Sequence, residues 1–96
     1  MAYRFEWDED KARSNLVKHG ISFDEATTVF DDSLGRIFDD ELHSLDEKRE
    51  IIIGHSINNQ LLVVCFTVRP DERIRIISAR LRTAKEQKAY EENVDF

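Results

Sequence analysis

The chain has 96 residues, 41% hydrophobic and 35% charged with six Phe, which suits one folded domain spanning 1–96 and excludes a disordered tail. No apolar run approaches the ~18 residues that a membrane-spanning helix needs. The formal net charge of −6 conceals an asymmetry: residues 69–88 carry +4 and the remainder −10. A single cysteine, Cys65, leaves no internal disulfide, and the first ten residues lack the pattern of a secretory signal. Both features lead to an expected cytoplasmic location.

Tyr3-Arg4-Phe5-Glu6-Trp7 alternates apolar and polar residues, which predicts a short strand with one buried face. Asp8 opens a helix with acids in its first turn; Lys18 and His19 close it, and Gly20 supplies a left-handed stop. Its apolar residues are few, chiefly Ala12, Leu16 and Val17, so tertiary contacts must hold it. Ser22 with Glu25 three residues on reads as a capping box for a second helix, whose apolar stripe is Phe23, Ala26, Val29 and Phe30. Residues 35–39 predict a strand, and the polar run DDELHSLDEKRE a loop to about Lys48.

Strands over 49–56 and 60–68 then pair around an Asn58-Asn59 turn. The run LLVVCF predicts a central strand covered on both faces, which makes Cys65 a core residue. Pro70-Asp71-Glu72 turns the chain into a strand over 73–79. Thr83 and Glu86 form a second capping box, opening a last helix that ends near Glu92. That helix has no large aliphatic residue between Ala84 and Asn93, so it docks weakly or is completed by a partner. The order β-α-α-β-β-β-β-α predicts an α+β fold, with helices packed on one face of a curved, mainly antiparallel sheet.

The positive charge concentrates in RIRIISARLRTAKEQKAY, residues 73–90. Strand alternation puts Arg73 and Arg75 opposite Ile74 and Ile76. Cross-strand pairing with Glu50 or Asp39 is the expectation for Arg73; Arg75 either does the same or meets an anion. Arg80 stands at a strand-to-helix junction, where the helix N-terminus and the hydroxyls of Ser78 and Thr83 converge on a phosphate. Arg82, Glu86 and Tyr90 repeat at i, i+4, which predicts either a functional row or an Arg82–Glu86 ion pair with Tyr90 packed flat.

Metal-free RNA cleavage needs a group to take the 2′-OH proton, cations for the charged phosphorane, and an acid for the leaving oxygen. Arginine suits the second task, because its planar fork holds two phosphate oxygens. Candidates for proton transfer are His19, His43, Glu47, His55, Glu86 and Tyr90. Asp39, Asp40, Glu41, His43, Asp46 and Glu47 lack a recognised ligand spacing and read as a solvated acidic loop, so neither a metal nor a cofactor is expected. Nucleotide hydrolysis has no support, since no glycine loop is present to cradle phosphates.

Three segments, FEWDEDKARSNLVKHGISFDEATTVFDD, HSLDEKREIIIG and RIISARLRTAKEQKAYEE, together resemble the BrnT family of bacterial ribonuclease toxins, from Phe5 to about Glu92. The resemblance implies a type II toxin with a RelE-like fold that cleaves RNA and blocks translation without a metal. It implies a BrnA-like antitoxin that carries a ribbon-helix-helix domain and binds DNA, with two toxins joined by two antitoxins in a heterotetramer. The motif maps onto Lys18, His19, His43, Glu47, Arg49, Arg69, Ser78, Arg80, Glu86 and Tyr90; His55 and Cys65 fall outside it, and Leu81 departs from it.

With the residue chemistry, these positions predict that Arg80 and Arg69 bind the scissile phosphate, with Arg49, Arg75, Ser78 and His43 as further RNA contacts. Lys18 and His19 bind RNA or assist proton transfer. Glu86 and Tyr90 sit nearby, with Glu47 or His43 as the alternative proton carrier. The rival expectation is a catalytically inactive toxin-like binding module acting as antitoxin partner or corepressor; a metal-dependent nuclease comes third.

Overall fold

In a computed structural model, which describes residues 3–41 and 47–93, β1 is short and spans Phe5–Glu6. Asp8 caps α1 (Glu9–His19) by accepting the N–H groups of Asp10 and Lys11, and Gly20 closes it at φ 71°. Ser22 caps α2 (Phe23–Thr28), which tightens into a 3₁₀ turn over Val29–Asp31. Strands β2 (Arg36–Asp39), β3 (Glu50–His55), β4 (Leu61–Val68) and β5 (Ile74–Leu81) follow, and α3 is Ala84–Glu92. The element order is the expected one. His43 and Asp46 lie outside the described residues.

One cap differs from expectation. Ser22 accepts the Glu25 N–H, but the Glu25 carboxylate takes the Ser56 hydroxyl at 2.6 Å instead of returning to the cap. The β3–β4 turn brings that donor within reach and leaves half a capping box. The Thr83–Glu86 box is complete.

The sheet runs β1-β5-β4-β3-β2, parallel between β1 and β5 and antiparallel elsewhere. Its parallel edge follows from α1 and α2 carrying the chain across one face. That face holds the main core, where Phe23, Ala26 and Val29 pack on Ile52, Leu62, Val64, Phe66, Ile74 and Ile76. Burying each large aliphatic or aromatic side chain there contributes about 1.5–3 kcal/mol. The alternate residues Ile53, Leu61 and Val63 face the other way and meet Tyr90 of α3. Two helices therefore cover one face; the third covers only one end of the opposite face and leaves the rest open.

A bulge decides what the open face displays. Phe66 pairs with Ile76 and Cys65 with Ser78, so Ile77 is an extra residue on β5. Strict alternation from Ile74 and Ile76 would turn Ser78 and Arg80 into the core. The extra residue resets the alternation and puts both beside Cys65 and Val63 on the open face.

Asn15, buried in α1, seals the outer edge of β5 beyond the end of β1. Its Oδ1 accepts the Ala79 N–H at 3.1 Å, and its Nδ2 donates to Ala79 O at 2.8 Å and Ile21 O at 3.0 Å. One side-chain amide thus replaces a strand partner. Asn15→Leu leaves those three backbone groups buried and unsatisfied. We expect a loss of about 3 kcal/mol, read from the urea midpoint; an unchanged midpoint contradicts this account of the edge.

Candidate active site

The register of the sheet lays out the open face in rows. One row is Ile51, Cys65 and Ser78; the next is Arg36, Ile53, Val63 and Arg80. Asp40 and Arg49 continue the face at the β2–β3 end, where the Asp40 N–H donates to Arg49 O at 2.9 Å. Between the uncovered strands lies a cleft of about 260 Å³ lined by Asp40, Arg49, Ile51, Val63, Cys65, Ile77, Ser78 and Arg80. Its floor is apolar and its rim carries two guanidinium groups.

Arg80 is held rigidly. Its Nη1 and Nη2 donate to Glu86 Oε1 and Oε2, each at 2.8 Å, and Glu86 Oε1 also accepts the Thr83 N–H at 2.8 Å. The capping carboxylate of α3 therefore doubles as the clamp on a strand arginine. The bond from Arg80 holds the buried Glu86 carboxyl below its ordinary range, outweighing desolvation, and Glu86 in turn raises Arg80. Both groups are charged and paired with each other. The expected Arg82–Glu86 pair does not form: Arg82 precedes the helix, and its Nε donates to Gln87 Oε1 at 3.2 Å.

Tyr90 is engaged too. Its hydroxyl donates to Asp32 Oδ2 at 2.7 Å, the His55 N–H donates to the same oxygen at 2.8 Å, and His55 Nδ1 lies 3.1 Å from the hydroxyl. Burial and the bond to Asp32 push the phenol up to about 12. Burial works to raise Asp32, but the donors from His55, Tyr90 and Leu34 outweigh it and keep its carboxyl below the usual range. Gly54 makes room for this contact, since a Cβ there would come 3.0 Å from Val29 Cγ1 and 3.2 Å from Asp32 Oδ2. The cluster ties α3 to the sheet, with Arg36 Nη1 adding a bond to Ala89 O at 3.2 Å. A helix poor in aliphatic residues is thus docked by polar contacts.

The remaining candidates divide. Arg49, Ser78 and Arg80 meet in the cleft. Arg75 shares their face but binds Glu6 of β1 at 2.8 Å. Arg73 binds Glu6 at 3.1 Å and Asp71 at 2.6 Å, not Glu50 or Asp39, because β1 is the neighbour of β5 on that side. Arg69 pairs with Glu47 at 3.3 Å, and neither lines the cleft. Lys18 and His19 end α1 and do not line it either. His43 lies outside the described residues.

Cys65 is half-buried and lines the cleft instead of the core, because α3 stops short of its row. Burial, then Asp40, pushes its thiol up to about 11, so it stays protonated at neutral pH. Sequence reasoning also missed Asp32 and Asp40. Asp32 had no local signal, and Asp40 looked like part of a solvated acidic run.

A clamped guanidinium beside a second arginine and a serine hydroxyl is suited to hold a phosphodiester and to stabilise the extra charge of its transition state. Among the described residues, no group of three or more His, Cys, Asp or Glu side chains is placed to hold a metal ion. The family model described as ribonuclease toxin, BrnT, of type II toxin-antitoxin system matches residues 7–86. The chain belongs to the BrnT family. The crystal structure of the Brucella abortus ribonuclease toxin BrnT superposes with a TM-score of 0.65 at 23% identity, over 85% of this chain and 99% of that one. That likeness shows the fold shared within the BrnT family. No curated protein sequence matches the chain. As a type II toxin family, BrnT entails an antitoxin partner. Among the described residues, no helix is long and apolar enough to cross a membrane.

Proposed function

We propose that this BrnT-family chain is an active, metal-independent endoribonuclease that cleaves RNA in the cleft around Arg80 and thereby inhibits translation. The observation that carries this is the two-point Arg80–Glu86 clamp, which aims a fixed cation into an open cleft shared with Arg49 and Ser78. Arg80 and Arg49 bind the scissile phosphate, and Ser78 adds a hydroxyl donor. Their positive charge is placed before the reaction begins, so little reorganisation accompanies the transition state. Glu86 serves as a positioning residue. Arg75 meets a flanking phosphate when Glu6 exchanges it.

The partner is a BrnA-like antitoxin with a DNA-binding ribbon-helix-helix domain, in an assembly of two toxins and two antitoxins. The decisive experiment is cleavage of purified RNA by the free protein with and without EDTA. We expect cleavage that EDTA leaves unchanged, and growth arrest on expression that the antitoxin relieves. Cleavage abolished by EDTA would establish a metal-dependent nuclease. Neither cleavage nor growth arrest would establish an inactive binding module.

A further inference from the structure

The first two helices sit on the sheet face opposite the cleft, and between α1 and α2 lies a groove of about 410 Å³. Its floor is apolar: Trp7 meets Phe23 edge-on with 5.9 Å between ring centroids, and Ala12 and Leu16 lie beside them. Its rim is acidic. Glu9 and Asp24, both exposed, line it from the first turns of the two helices. Arg13, the one cation among the described residues lining it, is paired with Asp10; Lys11 and Lys18 of α1 do not line it. The fold also leaves apolar surface unspent here. Leu16 is 50% exposed and Val17, next to it, 89%, while α1 is tied to the sheet by Asn15.

We propose that this groove is where the antitoxin docks, through a segment with one apolar face flanked by lysines or arginines. This rests on the antitoxin partner of the reading above and not on the nuclease activity. The apolar floor supplies contact area, and the acidic rim selects the charge of what lies on it. RNA, a polyanion, is repelled here and drawn to the arginines of the other face. A second copy meeting the groove helix to helix would set Glu9 and Asp24 against like charges. A basic segment instead brings opposite charges to the rim while its apolar side covers Leu16. Because groove and cleft lie on opposite faces of the sheet, docking is separable from RNA cleavage. A damaged groove frees the toxin from its antitoxin and leaves the cleft as it was.

The test measures association of the full-length protein with its cognate antitoxin across salt concentration, for the wild type, Glu9→Lys/Asp24→Lys and Leu16→Asp. Reversing the two acids removes charges that suit the helix N-termini, so the thermal midpoint is read beside each measurement. Leu16→Asp, at an exposed position, leaves both first turns intact and is the second probe. We expect the double reversal to slow association about tenfold at low salt and to flatten its salt dependence. Leu16→Asp weakens binding about 10- to 100-fold. Both variants keep the wild-type rate of RNA cleavage, and Glu substitutions at the antitoxin's flanking cations restore binding to the double reversal. Unchanged association in both variants overturns the proposal. Weakening by Leu16→Asp alone overturns the basic character of the segment. A dimer of the free protein that Leu16→Asp abolishes gives the groove to a second copy and overturns it too. A wild type that binds no antitoxin overturns it together with the partner reading. A wild type that cuts no RNA but binds the antitoxin through these residues upholds it and overturns the nuclease reading alone.

Discussion

Replacing Arg80 by Ala lowers RNA cleavage by about 10²- to 10³-fold, the scale on which one preorganised transition-state donor acts. It also destabilises the fold, and the two effects are separable. The Glu86 side chain is 8% exposed and that of Arg80 41%, so the partners do not depend on each other equally. Removing Arg80 strands a buried carboxylate, at about 3 kcal/mol or more. Pairing Arg80→Ala with Glu86→Gln removes the stranded charge, and the glutamine still accepts the Thr83 N–H. The double variant should melt close to the wild type and remain as poor a nuclease as Arg80→Ala alone. Recovery of cleavage along with stability would contradict a chemical role for Arg80.

Glu86→Gln alone has the second-largest expected effect. It leaves Arg80 free to be hydrated, so the loss of stability at neutral pH is about 1–3 kcal/mol, the worth of hydrogen bonds to a charged group. Cleavage falls about tenfold because Arg80 is no longer aimed. The pH dependence distinguishes the clamp from simple packing. The carboxyl of Glu86 lies below its ordinary value of 4.5 in the folded state, so its contribution is present above pH 4.5 and is lost as pH falls through the lowered value. Asp32, also lowered, adds to the acid sensitivity in the same direction. The stability gap between wild type and Glu86→Gln should therefore close on acidification below about pH 4.5 in urea titrations. A gap that stays constant contradicts the ion pair as its source.

Much of the fold was legible because its signals are local. Asp8, Ser22 and Thr83 cap where their side chains reach the first free N–H groups, and Gly20 ends α1 because it takes a positive φ at no steric cost. The first and last strands follow from period-2 alternation and the central one from an unbroken apolar run. Of the residues that motif and chemistry put forward, Arg80, Arg49 and Ser78 meet in one cleft.

What was hidden depends on pairing across the sheet. Nothing in Ile76-Ile77-Ser78 announces a bulge, yet that one residue turns Arg80 from the core to the cleft. The partner of Glu86 is a strand arginine six residues away, so a helical repeat pointed to Arg82 instead. Tyr90 and Asp32 are 58 residues apart, and Asp32 reaches its place because Gly54 has no Cβ to meet it. Asp40 hides in a run of acids, and only the β2–β3 register singles it out.

The most direct test of the central claim is the single-turnover rate of RNA cleavage by purified, antitoxin-free protein in EDTA, wild type beside the Arg80→Ala/Glu86→Gln variant. The account predicts robust cleavage by the wild type and a rate about 10²-fold lower for an equally folded variant. Equal rates for the two would contradict it.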